Sequence, residues 1–326
     1  RMNSTSRMAS SVNSEVRIRL IVYFFSVPSG TTVYIDGGAR VYGNIFTEGA
    51  HDVNIFGRGE VHPDGRGAGV WVRRSKNVRI DGIVVSQLPI GQCDSVELTN
   101  VKSISYYGWG DGMDVFSSSN VILDGVFCRN SDDCAAVYAS TQGFKGGSNN
   151  VLVKNATLWA DVAHPINIGG HGDPNGMDTV QNVTFRNIDI LDQAEKQIDY
   201  QGCLAINPGD NTLVRNITFE NIRIEDFRNG QLVNFRISFN SKYCVSTGRG
   251  IQNVLVKDVT YNGSGENLSI IAGYDENHKI SGIRFVNLVV NGRKITDDMP
   301  GKPKWYKTGD MAGIFVGEHV ENLSFE

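Results

Sequence analysis

The chain has 326 residues, a mass of 35.7 kDa and a formal net charge of -4 at pH 7. Because this charge is mild and no basic block occurs, composition argues against a nucleic-acid partner. No run of about 18 apolar residues is present, which argues against a membrane-spanning helix.

At the N-terminus, residues 1–15 are polar, and we predict a disordered or poorly ordered segment there. The apolar stretch 18–27 is short and is predicted to be a buried strand. It lies too far into the chain, behind a Ser-rich polar lead, to be a good signal peptide. Short alternating strands broken by Gly then run from Thr31 to Gly59.

A self-similar phrase of about seven residues recurs from this point to the C-terminus. It begins mostly with Asn, alternates apolar and polar residues, and has Asn, Gly or Asp at its sixth position in most copies. The copies are 77–83, 95–101, 120–126, 150–156, 182–188, 216–222, 253–259, 282–288 and the shorter 322–325. Each copy indicates a strand, a tight turn and the start of the next strand. Asn and Gly suit the left-handed backbone conformation that sharp corners require.

This repeat predicts an all-β fold, a right-handed parallel β-helix (solenoid), that forms a single domain over residues 16–326. No comparable helical periodicity occurs in the sequence. The variable spacing between copies predicts loops that grow from one corner and wall a groove. The five cysteines do not follow metal-binding spacing, and pairing of Cys128 with Cys134 and buried thiols both remain open.

Two acidic groups are not explained by a structural solenoid alone. Asp111 and Asp114 lie in a Gly-rich turn, and Asp132 and Asp133 follow about one coil later. Like charges held close raise at least one pKa, which is what a general acid near neutral pH requires. Because each coil lies about 4.8 Å above the last, we expect one column of polar residues along a face. Its members are Asp111, Asp132, Asp133, His164, Asn207, Arg236 and Tyr274.

These motifs resemble the polygalacturonase family (glycoside hydrolase family 28) and the related dextranase and isopullulanase family (family 49). The family pattern Asn-Thr-Asp-Gly-x-Asp is matched in its last four positions by 111–114, with Trp109 and Gly110 in place of Asn and Thr. The pattern x-Asp-Asp-Cys is matched by 131–134. The pattern Gly-His-Gly-x-x-Ile-Gly is matched in part by 163–169, which contains His164. A literal Gly-His-Gly follows around His171, which makes that residue a rival.

The resemblance implies an inverting glycosidase with three carboxylates, and for such an enzyme we predict no metal and no cofactor. Asp132 would be the general acid, and Asp111 and Asp133 would hold and deprotonate the attacking water. His164 would tune the protonation of the acid and bind substrate. The implied substrate is a polysaccharide or oligosaccharide, pectic or neutral.

One departure from the family concerns the cations that hold a uronate carboxylate. The family carries Arg-Ile-Lys one coil after the His, whereas coil counting puts Ala205-Ile206-Asn207 there. A carboxylate needs a cation for charge-assisted binding, so a neutral glycan fits this place better. Arg236 and Lys145 keep a uronide or a rhamnose-containing pectic chain open.

Further substrate-binding candidates are mainly aromatic, because rigid aromatic faces pack against sugar C–H groups. Trp109 is the first candidate for stacking, and core packing is the alternative for all of these aromatic residues. The complete set of predicted substrate-binding residues is Trp109, Asp114, Tyr138, His171, Asn207, Arg236 and Tyr274. Tyr106 and Tyr107 lie close to the acidic turn as well.

Two other functions remain open from sequence. A polysaccharide lyase on the same fold would use clustered carboxylates to bind Ca²⁺ and an Arg or Lys as base. A non-catalytic β-helix would bind glycans without cleaving them. For a hydrolase of this kind we expect an extracellular or periplasmic location. The sequence leaves the oligomeric state undetermined.

Overall fold

The structure is a computed structural model that describes residues 5–8, 19–63, 65–265 and 267–326, with side chains described from Phe24 onward. Almost all regular structure in these residues is β-strand, and the strands stack in parallel register into three faces. The prediction for residues 1–15 falls largely outside the described residues. Within that segment, the strand Thr5–Met8 pairs with Thr32–Ile35.

The first face carries the repeat phrase identified in the sequence. Its strands are Thr5–Met8, Thr32–Ile35, His51–Gly57, Lys76–Asp81, Asp94–Thr99, Ser119–Asp124 and Val320–Phe325. Five long strands bend from the first face into the second, namely Asn149–Ala160, Thr179–Asp192, Leu213–Ile224, Gly250–Tyr261 and Ile280–Val290. The second face adds Glu60–His62, Val84–Val85, Lys102–Ile104, Phe127–Asn130 and the antiparallel Arg293–Ile295.

The third face is built from short strands that share one register. They are Val70–Arg73, Ile90–Gly91, Met113–Phe116, Ala135–Tyr138, Ile166–Ile168, Leu204–Ile206, Val233–Arg236, Ser269–Ala272 and Ile314–Val316. Arg19–Ser26 and Arg40–Glu48 connect the second face to the third. The described part also contains the 3-10 turn Ile198–Tyr200 and the short helix Thr308–Ala312. None of its helices is long and apolar enough to cross a membrane.

Alternation along each strand fills the interior. Val, Ile, Leu and Phe side chains point inward from all three faces and form one continuous core. Phe219 stacks between Phe185 and Phe235, with ring centroids 5.9 and 6.0 Å away. All five cysteines are free thiols, which excludes the Cys128–Cys134 pair in this structure.

Asparagines occupy the corner before the first face, as the repeat predicts. Seven copies have a first Asn with φ between 53° and 57°, namely 77, 120, 150, 182, 216, 253 and 322. Asparagine side chains at this corner also form hydrogen bonds between successive coils. Asn182 Nδ2 donates to Asn149 Oδ1 at 2.8 Å, and Asn216 Nδ2 donates to Asn182 Oδ1 at 3.2 Å. Asn therefore supplies both the left-handed conformation and the contact that links successive coils.

The face that matters for function is the third, because its outward side chains are buried as well. Asp114, Ala136, Asn167, Ala205 and Asn234 occupy equivalent positions on successive strands. All five are buried, since loops from the ends of these strands cover them. A row of buried Asp, Asn and Ala residues thus lies under the loops on one side of the β-helix.

The asparagine corner can be tested at position 182. Replacing Asn182 with Ala forces a non-glycine residue into the left-handed region and removes two side-chain bonds, so we expect a loss of about 2 kcal/mol in the free energy of unfolding. Asn182→Gly loses the same bonds without the backbone strain, so its loss is expected to be about 1 kcal/mol. Urea unfolding of both variants measures the difference. Equal losses would show that backbone strain at this corner is negligible.

Candidate active site

In-register stacking of the third face brings the two acidic groups together. Asp111 precedes the strand Met113–Phe116, and Asp132 and Asp133 precede its neighbour Ala135–Tyr138. The backbone N–H of Gly112 donates to the carbonyl of Asp133 at 2.7 Å. A Cβ at position 112 would lie 2.2 Å from a neighbouring carbonyl oxygen, so this approach requires glycine.

The result is a compact cluster of carboxyl groups. One oxygen from each of Asp111, Asp132 and Asp133 lies within 4.8 Å of the others. Asp111 and Asp132 are half-buried, whereas Asp133 is buried. Asp114 lies buried beside them, and its Oδ1 has no hydrogen-bond partner among the described residues. Oxygens this close are also able to ligate one cation together, so the spacing alone does not distinguish hydrolase from lyase.

Asp133 is the anchor of the cluster because donors surround both of its oxygens. Oδ1 accepts from the backbone N–H of His164 at 3.0 Å and from its Nδ1 at 2.7 Å. Oδ2 accepts from Asn167 Nδ2 at 2.8 Å, Tyr138 Oη at 2.5 Å and Tyr200 Oη at 3.4 Å. These contacts stabilise a negative charge that burial would otherwise penalise.

The pKa values of the four carboxyl groups diverge as a consequence. Burial would raise the pKa of Asp133, but its contacts with His164 and the other donors lower it to about 2. Burial raises the pKa of Asp132 to about 8, and the nearby charges of Asp133 and Asp111 add to the increase. Burial and the charge on Asp133 raise the pKa of Asp111 to about 7. The pKa of Asp114 is raised well above its usual value, again by burial first and by its acidic neighbours second.

Between the two histidines, it is His164 that contacts the cluster. Its ring is fully buried, lies edge-on to Tyr200 at 4.3 Å between centroids, and holds Asp133. His171 lies at the cleft surface, where its ring meets Tyr138 edge-on at 5.1 Å. Burial lowers the pKa of His171. Contact of His164 with substrate, which the motif implies, is not supported in this structure because the ring lies beneath the carboxylates.

An open cleft of about 540 Å³ lies over the carboxylates. Loops from successive coils form its walls, as the variable repeat spacing predicts. Its lining residues include Tyr106, Tyr107, Trp109, Asp111, Asp114, Asp132, Asp133, Tyr138, His171, Glu195, Gln197, Tyr200, Lys242 and Tyr243. Trp109 is 77% exposed, so its ring is available at the cleft wall and does not belong to the core.

Three predicted binding residues do not reach this cleft. Asn207 and Tyr274 follow their strands and Arg236 ends its strand, whereas Asp111, Asp132, Asp133 and His164 precede theirs. The predicted single column therefore divides between opposite ends of the third face, which is a correction to the sequence interpretation. Asn207 lines a small neighbouring pocket of about 40 Å³, and its Nδ2 donates to Asn234 Oδ1 at 3.1 Å.

Sequence reasoning missed several residues of the site, Gln197 and Tyr243 among them. Asn167 lies three residues after His164 at an outward strand position, so alternation could have identified it. Tyr200, Glu195 and Lys242 come from loops with no repeat pattern. Tyr200 is separated by 67 residues from Asp133, and only the folded chain reveals that contact.

Comparison with known proteins connects this site to a family. The profile of glycosyl hydrolases family 28 matches residues 68–300, which is more than half of the chain. A polygalacturonase of Juniperus ashei is 26% identical over 216 residues, covering 64% of this chain and 39% of the relative. A probable endo-xylogalacturonan hydrolase A of Neosartorya fischeri is 25% identical over 300 residues, covering 83% of this chain and 70% of the relative.

Solved structures support the same fold. The family 28 exopolygalacturonase of Yersinia enterocolitica superposes with a TM-score of 0.64 at 13% identity, covering 96% of this chain and 73% of that one. The polygalacturonase of Erwinia carotovora also gives a TM-score of 0.64, at 14% identity, and covers 83% of both chains. The predicted right-handed parallel β-helix is confirmed. Together with the profile match over most of its length, this establishes that the chain belongs to glycosyl hydrolases family 28 and is a glycoside hydrolase.

Proposed function

We propose that the protein hydrolyses glycosidic bonds in a pectic polysaccharide, with Asp132 as general acid and Asp111 as general base. One observation carries this proposal, namely that an ionised Asp133 and two carboxyl groups of raised pKa lie within 4.8 Å of one another in an open cleft. Pairs of titratable groups whose environments separate their pKa values are typical of acid–base catalysis.

Asp132 suits the role of acid because it holds its proton near neutral pH. Its carboxyl group is half-buried in the cleft wall, so it can reach a glycosidic oxygen. Burial, together with the negative charge on Asp133 one residue away, keeps that proton bound until the leaving oxygen accepts it.

Asp111 is a better candidate for the base than Asp133, although the family motif implies both. A carboxylate offers about four lone-pair positions, and five donor groups already surround Asp133. It therefore has little capacity left to accept a proton from water. Asp133 instead supplies the fixed charge, and His164 and Asn167 position it.

The distance between the carboxyl groups bears on the stereochemical outcome of hydrolysis. Inverting enzymes generally hold their two carboxyl groups about 6.5–9.5 Å apart and retaining enzymes about 5–5.5 Å apart. The closest oxygens of this cluster lie within 4.8 Å, which by this rule favours retention. Retention needs a carboxylate free to attack the sugar, and because five donors surround Asp133, the proposed base Asp111 would have to be that nucleophile. The family motif implies inversion, and we propose it here.

The substrate class is inferred from relatives named for galacturonan-type polymers. These are the polygalacturonase and the probable endo-xylogalacturonan hydrolase described above. A neutral glycan is the second candidate, because Ala205 and Asn207 supply no cation in the coil after His164. We further propose that Trp109 stacks on a sugar ring and that the enzyme acts outside the cytoplasm, where such polymers occur.

The first test is release of reducing sugar from a panel of polygalacturonate, rhamnogalacturonan, dextran, pullulan and arabinogalactan. Asp132→Asn removes the proton donor while preserving shape, so we expect kcat on the cleaved polymer to fall by about 10²–10⁴-fold. The matched control is Asp81→Asn, which removes an Asp bonded to Arg58 on the first face and should leave activity unchanged.

Other outcomes of this test would change the substrate, the reaction class or the identity of the acid. Release from dextran or pullulan but no pectic polymer would replace the proposed substrate by a neutral glucan. An unsaturated, ultraviolet-absorbing product lost on chelation would indicate a lyase. Full activity in Asp132→Asn would contradict the assignment of the acid.

The pH dependence of kcat/KM tests the role of Asp133. We expect a bell-shaped profile, with a rising limb as the base ionises and a falling limb as Asp132 loses its proton near pH 8. In Asp133→Asn the like charge is gone, so both limbs should move to lower pH. Carboxyl ¹³C titration gives the same pKa values if turnover in the variant is too slow. Limbs that stay in place would show that Asp133 does not set these pKa values.

The anomeric form of the first product tests inversion. Proton NMR during the first minutes of hydrolysis distinguishes the two anomers before mutarotation mixes them. We expect the anomer opposite to that of the cleaved bond, because a water activated by Asp111 attacks the far face of the sugar. The same anomer would mean that one carboxylate acts as a nucleophile.

A further inference from the structure

The cleft is lined by several carboxyl groups, one of which, Asp133, stays ionised, so an anionic substrate needs a cation there. Five carboxyl groups line it, contributed by Asp111, Asp114, Asp132, Asp133 and Glu195. Among the lining residues in the described part of the chain, Lys242 is the single Lys or Arg. A uronate entering the cleft would meet one cation opposite this acidic floor.

Lys145 and Arg236, the cations that the sequence suggests, do not supply positive charge to the cleft. Lys145 is exposed and pairs with Asp173 at 3.3 Å. Arg236 ends its strand two coils beyond that of His164 and does not line the cleft. A cation at the cleft must therefore come from an element other than those that carry Lys145 and Arg236.

Lys242 is held in place by contacts that lead to the catalytic cluster. Its Nζ donates to Gln197 Oε1 at 2.8 Å and lies 4.8 Å from the centroid of the Tyr243 ring. Tyr243 stacks on Tyr200 with 4.9 Å between centroids. Tyr200 donates to Asp133 Oδ2 at 3.4 Å, so the loop that bears the cation is packed against the anchor of the site.

We propose that Lys242 binds a carboxylate of the substrate and makes the enzyme selective for free uronate over its methyl ester. This inference rests on the proposed action on pectic polymers and names the residue that recognises their charge. The Nζ group has donors to spare beyond its bond to Gln197, because an ammonium carries three. A charge-assisted hydrogen bond to a carboxylate oxygen is the contact that a neutral ester cannot reproduce.

The experiment compares two probes, tetragalacturonate and its methyl ester, in wild type and Lys242→Gln. We expect kcat/KM on tetragalacturonate to fall about tenfold, mainly through KM, with less than about a twofold change on the ester. Lys242→Arg should restore most of the selectivity because it keeps the charge. The matched control Lys154→Gln removes a half-buried lysine paired with Asp124 on the first face, and it should change neither value.

Binding gives a readout that does not depend on turnover. In an Asp132→Asn background, calorimetry with tetragalacturonate should show about tenfold weaker binding when Lys242→Gln is added. An equal loss on both probes would overturn the inference, because Lys242 would then act only by holding its loop. No loss on either probe would also overturn it. If the wild type cleaves no pectic polymer, the proposed function itself fails, and that result is visible without any Lys242 variant.

Discussion

The in-register stacking of coils is the constraint on which the rest of the structure depends. Backbone hydrogen bonds join the strands Met113–Phe116, Ala135–Tyr138 and Ile166–Ile168 in parallel register. This register fixes the positions, along the axis of the β-helix, of the segments that lead into these strands. Three short segments, far apart in sequence, thereby present Asp111, the 132–133 pair and His164 to one point. The stacking holds the four carboxyl groups of the cluster close together although ionised carboxylates repel one another.

The site also depends on how buried charge is stabilised. The hydrogen-bond donors that stabilise it are distributed unequally among the carboxyl groups. Asp133 receives nearly all of the hydrogen-bond donors, so it remains ionised in a setting that would otherwise neutralise it. Its charge in turn keeps protons on Asp111 and Asp132. Thus the donors around Asp133, by keeping it ionised, add to the effect of burial on the protonation of its two neighbours.

Much of the fold, the centre of the site and its wall around Trp109 could be predicted from sequence, whereas the wall that carries Tyr200 and Lys242 could not. The alternation after Asn120 or Asn182 reports local strand and corner geometry, so the repeat identified the solenoid. The cluster was predicted because two acidic groups lie about one coil apart and because their motifs resemble those of the family. Coil counting failed for Arg236, because it gives height along the axis but not which end of a strand a residue occupies. Tyr200 and Lys242 depend on loop packing, which no periodicity encodes.

The asparagine corners have a consequence for biosynthesis. Asn182-Val-Thr and Asn216-Ile-Thr are also acceptor sequences for N-linked glycans. The nitrogen that would carry the sugar is the one that donates along the ladder, from Asn182 to Asn149 and from Asn216 to Asn182. In a secretory pathway, coil stacking and the glycosylation machinery would therefore compete for the same atoms. A chain that stacks first protects its acceptor sites, and a chain glycosylated first loses part of the ladder.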